Sequence, residues 1–209
     1  MRNIFFVFLS LSLTYHANAS IRIPAVDSIL LTPNIYFSST DTAYLYISKI
    51  DAFSYHFSGI MLIKKSKINE YRCVFTTETG FKLFDLSIQN EKARVVYVMK
   101  EMHNPIFLKL IKEDILLMLQ LKPRLSSKNN NIFVPKLKNV ILDRGKGIFY
   151  SFVNAQLYTI QKKSKEKMSL EIQFSDLNSL LKANTITIEH KNIPVKVSLK
   201  AFYNAVVED

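Results

Sequence analysis

Residues 53–63 read Phe-Ser-Tyr-His-Phe-Ser-Gly-Ile-Met-Leu-Ile. Phe53, Tyr55, Phe57, Met61 and Ile63 recur at odd positions, while Ser54, His56, Ser58 and Lys64 fall between them, with Ile60 and Leu62 as exceptions. A period of two is that of a β-strand, whose successive side chains point to opposite faces. The pattern starts near Ala43 and predicts one long strand, with Gly59 marking a bulge or bend. Lys64 to Glu70 (KKSKINE) then reads as a polar turn. Tyr71–Thr77 and Phe81–Ile88 are two further strands joined around Glu78-Thr79-Gly80, where Gly80 supplies a positive φ. Gln89-Asn90-Glu91 turns into a strand over Ala93–Met99. Short turns between consecutive strands make a β-meander.

The period then changes. Asn104 is an N-cap and Pro105 sits at the first helical position, where its missing N–H costs nothing. Phe107, Leu108, Ile111, Ile115, Met118 and Leu119 recur at helical spacing up to Leu121, with Lys109, Lys112, Glu113 and Gln120 on the wet side. The helix is apolar enough to predict deep packing. Lys122 to Asn131 reads as a flexible surface loop. A second β-rich half follows, with strands over Ile132–Leu142 and Ile148–Ile160 around an Asp143–Gly147 turn. Lys162 to Lys167 (KKSKEK) is a basic hairpin turn. Met168, Leu170, Ile172 and Phe174 alternate with Ser169, Glu171 and Gln173, and Ser175–Lys182 predicts a short helix. Ile186 and Ile188, then Ile193, Val195, Val197 and Leu199, alternate with polar residues. Such strands are wet on one face, as antiparallel sheets allow. The expected fold is α+β and mostly β. It would be a curved antiparallel sheet or incomplete barrel of about nine or ten strands, with one dominant apolar helix packed on it. Residues 20–42, with Pro24 and Pro33, read as an extended lead-in to a single domain over 43–209.

The first residues carry a different message. Arg2 is followed by an apolar run from Ile4 to Leu13 and by Ala17-Asn18-Ala19. That order is a signal peptide over 1–19, cut where small residues stand one and three positions before the scissile bond. A spanning helix needs about 20 apolar residues, and Tyr15, His16 and Asn18 end this run early. Cleavage at Ser20 removes one charged residue and takes the net charge from +11 to +10. The protein is then expected outside the cytoplasm, in the periplasm or peripherally attached to the outer membrane. No Cys follows the cut, so lipidation is not expected. Export argues against nucleic acid as the anionic partner and leaves lipid head groups, lipopolysaccharide and acidic glycans, with a plain solvated lysine-rich surface as the alternative. Cys73 is the single cysteine, which excludes an internal disulfide, and its apolar setting predicts a small core residue.

Reactive constellations are sparse. His56 and Ser58 share a strand face without forming a nucleophile and base, and no G-x-S-x-G elbow is present. His56, His103 and His190 form no close pair that would nucleate a metal site. Gly145-Lys146-Gly147 lacks Walker spacing. No catalytic residue, metal or cofactor is expected. Asp85 interrupts an apolar strand. A three-residue turn at 78–80 would set Phe75 opposite Leu83 and Cys73 opposite Asp85, and a carboxylate there needs a Lys or Arg partner or a functional reason.

Ser58-Gly59-Ile60-Met61-Leu62-Ile63-Lys64, Tyr71-Arg72, Glu78, Gly80 and Phe84-Asp85 resemble a group of envelope proteins related to the LolA/LolB-like lipoprotein carriers. The ending Ile186-Thr187-Ile188-Glu189-His190 to Val197-Ser198-Leu199-Lys200 is similar to the closing hairpin of that fold, and the likeness spans roughly 43–203. It implies a non-enzymatic carrier or chaperone that shields lipid or lipoprotein acyl chains inside an incomplete barrel. LolB-type members carry a cysteine after the signal peptide, where this chain has Ser20. On this reading Phe53, Tyr55, Phe57, Met61 and Ile63 share an apolar cavity with Phe107, Ile111, Ile115 and Met118. The alternative is an assembly subunit of an envelope complex, with a filled core and a protein partner. Lys64, Lys65 and Lys67 in one turn, and Lys162, Lys163, Lys165 and Lys167 in another, should project from sheet ends. On one rim they would together attract an anionic membrane surface; at opposite ends they would simply keep the protein soluble.

Overall fold

A computed structural model describes residues 28–31, 36–120, 132–135, 140–143, 145–153, 156–165, 167–177 and 183–202. The expected signal peptide at 1–19 and the surface loop at 122–131 lie outside the described residues. Thirteen strands and one α-helix are present among those described. In chain order they are β1 (Ser28–Leu31), β2 (Ala43–Ala52), β3 (Tyr55–Lys67), β4 (Glu70–Thr76), β5 (Lys82–Gln89), β6 (Lys92–Val98), helix α1 (Pro105–Met118), β7 (Ile132–Pro135), β8 (Val140–Asp143), β9 (Ile148–Val153), β10 (Gln156–Ser164), β11 (Lys167–Leu177), β12 (Ala183–His190) and β13 (Val195–Ala201).

Eleven strands form one antiparallel sheet in the order β6-β5-β4-β3-β2-β13-β12-β11-β10-β9-β8, and β1 pairs with β7 separately. β6 and β8 stand at the ends of that order, so the sheet is open. Two meanders, β2–β6 and β8–β13, are joined where β13 pairs with β2 from Val195↔Ala52 to Ala201↔Tyr46.

The alternation read from the sequence places one side chain of each strand in a common apolar row. Tyr150, Ile160, Ile172, Ile188, Val197, Ile50 and Phe57 face one another in succession across β9, β10, β11, β12, β13, β2 and β3. All are buried except Phe57, which is half-buried. Burying each such side chain contributes about 1.5–3 kcal/mol, so a one-residue slip that turned the row outward would be strongly disfavoured.

Several expectations need correction. The predicted long strand through residue 53 is two strands: β2 and β3 meet in a two-residue turn, Phe53-Ser54, with Ala52 opposite Tyr55 and φ of 58° at Phe53. Gly59 is not a bulge, because pairing with β2 runs through it without interruption. A Cβ there would lie 1.8 Å from the Thr76 carbonyl oxygen, so only glycine permits the approach of β4. The 64–70 turn shrinks to Ile68-Asn69, with φ of 60° at Asn69. The predicted strands at 132–142 and 148–160 each divide in two. Ser175 to Leu177 continue β11 rather than opening a helix, since Ser175 pairs with Thr185 and Leu177 with Ala183; residues 178–182 lie outside the described set. The lead-in is not merely extended. Tyr36 and Phe37 are fully buried, with the Tyr36 hydroxyl donating to the Leu157 carbonyl and its ring 4.9 Å from that of Phe174.

Candidate functional site

Helix α1 starts as the sequence indicates. Asn104 Oδ1 accepts from the N–H of Ile106 at 2.9 Å and of Phe107 at 3.1 Å, and Pro105 takes the first turn. Phe107, Ile111, Ile115 and Met118 form a buried stripe and belong to the same core as the inner side chains of the sheet. Met61 and Ile63 are fully buried in that core too. Phe53 and Tyr55 are not: they are 41% and 53% exposed. Phe53 sits on the turn, so the period of two no longer governs it, and Tyr55 stacks on Phe57 with ring centroids 6.0 Å apart. The predicted cavity-lining set thus divides into seven residues turned inward wholly or in part and two turned to solvent.

The helix also carries two consecutive acids that reach the sheet. Asp114 is 1% exposed and His190, at the end of β12, 8%; His190 Nε2 lies 2.9 Å from Asp114 Oδ2 and 3.1 Å from Oδ1. Glu113 Oε2 accepts from Lys162 Nζ, on β10, at 3.2 Å. Burial pushes the Asp114 carboxyl above its ordinary range, against the hydrogen bond and charge of His190. These groups border a hollow of about 160 Å³ that Leu110, Ser169, Leu170, Asn192 and Ile193 complete. Typical ligand pockets run from roughly 300 to 1,000 Å³, so this hollow is a polar fastening between helix and sheet rather than a cargo site. Nothing in the sequence announces it, because Asp114 and His190 are far apart in the chain and look like solvated residues.

On the outer face, Asp85 is also buried. Arg72 Nε lies 2.6 Å from its Oδ1, and Arg72 Nη2 and Lys82 Nζ reach Oδ2 at 2.8 and 2.9 Å. Burial raises its pKa, but the two cations outweigh that and hold it below the usual carboxylate range. Asp85 is therefore an ion-paired carboxylate. Its predicted neighbour is corrected: Cys73 faces Leu86, Phe75 faces Phe84 and Val74 faces Asp85, because a bulge after Phe75 shifts the register by one. Cys73 is buried, and burial pushes its thiol far up.

The lysines separate. Successive antiparallel strands reverse, so the turns at 53–54, 77–81, 164–167 and 190–195 share one end of the sheet, and those at 67–70 and 89–92 the other. Lys64, Lys65 and Lys67 lie toward the end opposite Lys162, Lys163, Lys165 and Lys167. Their fields do not add on one rim. Lys162 is taken up by Glu113, and Lys163 sits 4.9 Å over the Phe149 ring. Among the described residues no helix is long and apolar enough to cross a membrane. Compared with known proteins, the chain matches no family model and no curated sequence.

Proposed function

We propose that this protein is a non-enzymatic carrier or chaperone for lipid or lipoprotein acyl chains, working in the periplasm or at the outer membrane. The observation that carries this reading is the pairing of an apolar helix with an open apolar sheet face. The stripe Phe107, Ile111, Ile115 and Met118 is buried with that face, while the fastening between helix and sheet at Asp114 and Glu113 is polar. The eleven-strand sheet acts as a curved trough, an incomplete barrel, and α1 as its dominant cover. Lifting the cover exposes a continuous greasy surface. An acyl chain that replaced the helix there would gain about 0.8 kcal/mol for each buried CH₂. The resemblance to LolA/LolB-like carriers points the same way.

A second reading, an assembly subunit of an envelope complex with a filled core, draws support from Tyr36 and Phe37, which occupy the inner face themselves. Native mass spectrometry with lipid extraction separates the two. Co-purified lipid, displaceable by a fluorescent fatty acid, is the outcome expected of a carrier. Lipid-free protein that takes up no fatty acid, together with a stable protein partner, would replace the carrier reading with the second.

A further inference from the structure

We propose that the sheet end bearing the 53–54, 77–81 and 164–167 turns docks on an anionic lipid bilayer. This goes beyond the carrier reading, since such a rim would hold the protein at a membrane whether or not it carries cargo. Two neighbouring tips along that end present large apolar side chains to solvent. Phe53 lies in the β2–β3 turn with Tyr55 directly after it, and Phe81 stands at the β4–β5 turn with 75% exposure, while Ile106, in the first turn of the helix that follows β6, is 57% exposed. Neighbouring strands lie about 4.8 Å apart, so tips two strands apart are spaced by about 10 Å. Anchors set singly at that spacing suit a fluid surface better than a rigid pocket, and aromatic side chains favour the membrane interface. Phe53 stands at φ 58°, where asparagine or glycine is the usual choice. A large aromatic ring kept there at a conformational cost, yet largely outside the core, calls for a partner.

Charge on the same end favours an anionic surface. Lys100, Lys146, Lys163, Lys165 and Lys167 lie there against Glu78 and Glu101, while Asp51 and Glu189 are engaged by His56 and Lys191. The opposite end is basic too, with Lys64, Lys65, Lys67 and Lys92, so it is the apolar tips that distinguish the two ends: Ile68 stands exposed at one tip there, but its neighbour at 89–92 is the polar Gln89-Asn90-Glu91-Lys92.

The chain contains no Trp, so Phe81→Trp creates a single reporter at an exposed site. With vesicles of phosphatidylglycerol and phosphatidylcholine, its emission should shift to the blue and its quenching by acrylamide fall. An Ile68→Trp reporter at the other end should show neither change. In the unlabelled protein, Phe81→Ser should weaken vesicle affinity about tenfold, as loss of one inserted ring implies. Joint replacement of Lys163, Lys165 and Lys167 by glutamine should weaken it about tenfold or more and flatten its salt dependence. Unshifted emission from the Phe81→Trp variant, a blue shift in the Ile68→Trp variant instead, or equal binding to purely neutral vesicles would overturn the proposal. Lipid extraction reports separately on cargo, so failure here leaves the carrier reading where it stood.

Discussion

His190 Nε2 and Asp114 Oδ2 meet at 2.9 Å with both side chains almost wholly out of water, so helix α1 is tied to β12 by a buried acid and base. Removing one partner of such a pair leaves the other desolvated and alone. His190→Ala should therefore cost about 3 kcal/mol of unfolding free energy near neutral pH. The sign of its pH dependence follows from Asp114. Its folded pKa is raised, so the folded state holds the proton more tightly than the unfolded chain does. Stability from this group falls as pH rises from the ordinary aspartate value through the raised one, and returns as pH is lowered. The variant should recover part of its loss on acidification, as read by urea melts at several pH values. A loss that does not vary with pH would show that Asp114 is not the group left stranded.

Asp85 behaves oppositely. Arg72 and Lys82 lower its folded pKa, so its contribution is complete above the ordinary aspartate pKa and is lost as pH falls through the lowered value. Arg72→Met should destabilise by about 1–2 kcal/mol, at the low side for a charged hydrogen bond because solvent reaches the guanidinium. Lys82 retains part of the interaction. Thermal melts at neutral pH and at pH values below the ordinary aspartate pKa test both statements, and the difference between variant and parent should shrink in acid.

Gly59→Ala sets a Cβ against the Thr76 carbonyl at 1.8 Å, and that atom belongs to backbone that cannot rotate aside. The variant should lose at least the upper part of the roughly 1–3 kcal/mol usual for overpacking. Gly80→Ala meets nothing within 4 Å and suffers only from its φ of 91°, so it should cost about 1 kcal/mol. Equal losses in denaturant melts would contradict the account of Gly59.

Phe37→Ala should cost about 3–5 kcal/mol, as for a buried phenylalanine, because its ring packs 5.2 Å from Tyr44 and 6.3 Å from Tyr46. Tyr36→Phe removes only the bond to Leu157 and should cost about 1 kcal/mol. Chemical denaturation of both variants measures whether the segment before β2 belongs to the core.

What the sequence made legible was local. Asn104 and Pro105 marked the helix start because capping acts over three residues, and 168–174 and 195–199 marked strands because one wet face preserves alternation. The Phe53-Ser54 turn escaped because nothing in it advertises a left-handed backbone, so two strands read as one. The register of β4 on β5 escaped because a bulge after Phe75 leaves no trace in hydrophobicity. The fastening of Asp114 to His190 escaped for a deeper reason: burial of a polar group is decided by what lies across from it, and the chain pattern records only neighbours.

The pairing of β13 with β2 has a consequence in time. Each meander can assemble from contacts between adjacent segments, but the seam between them waits for two strands almost at opposite ends of the described chain. Loop closure over such a span is slow compared with hairpin formation. As the polypeptide emerges, it should hold two half-sheets with raw edges until β13 arrives, and a chaperone that masks those edges would matter most in that interval. Loss of β13 would remove the middle of the sheet and not its margin, leaving two separate pieces in place of a shortened whole.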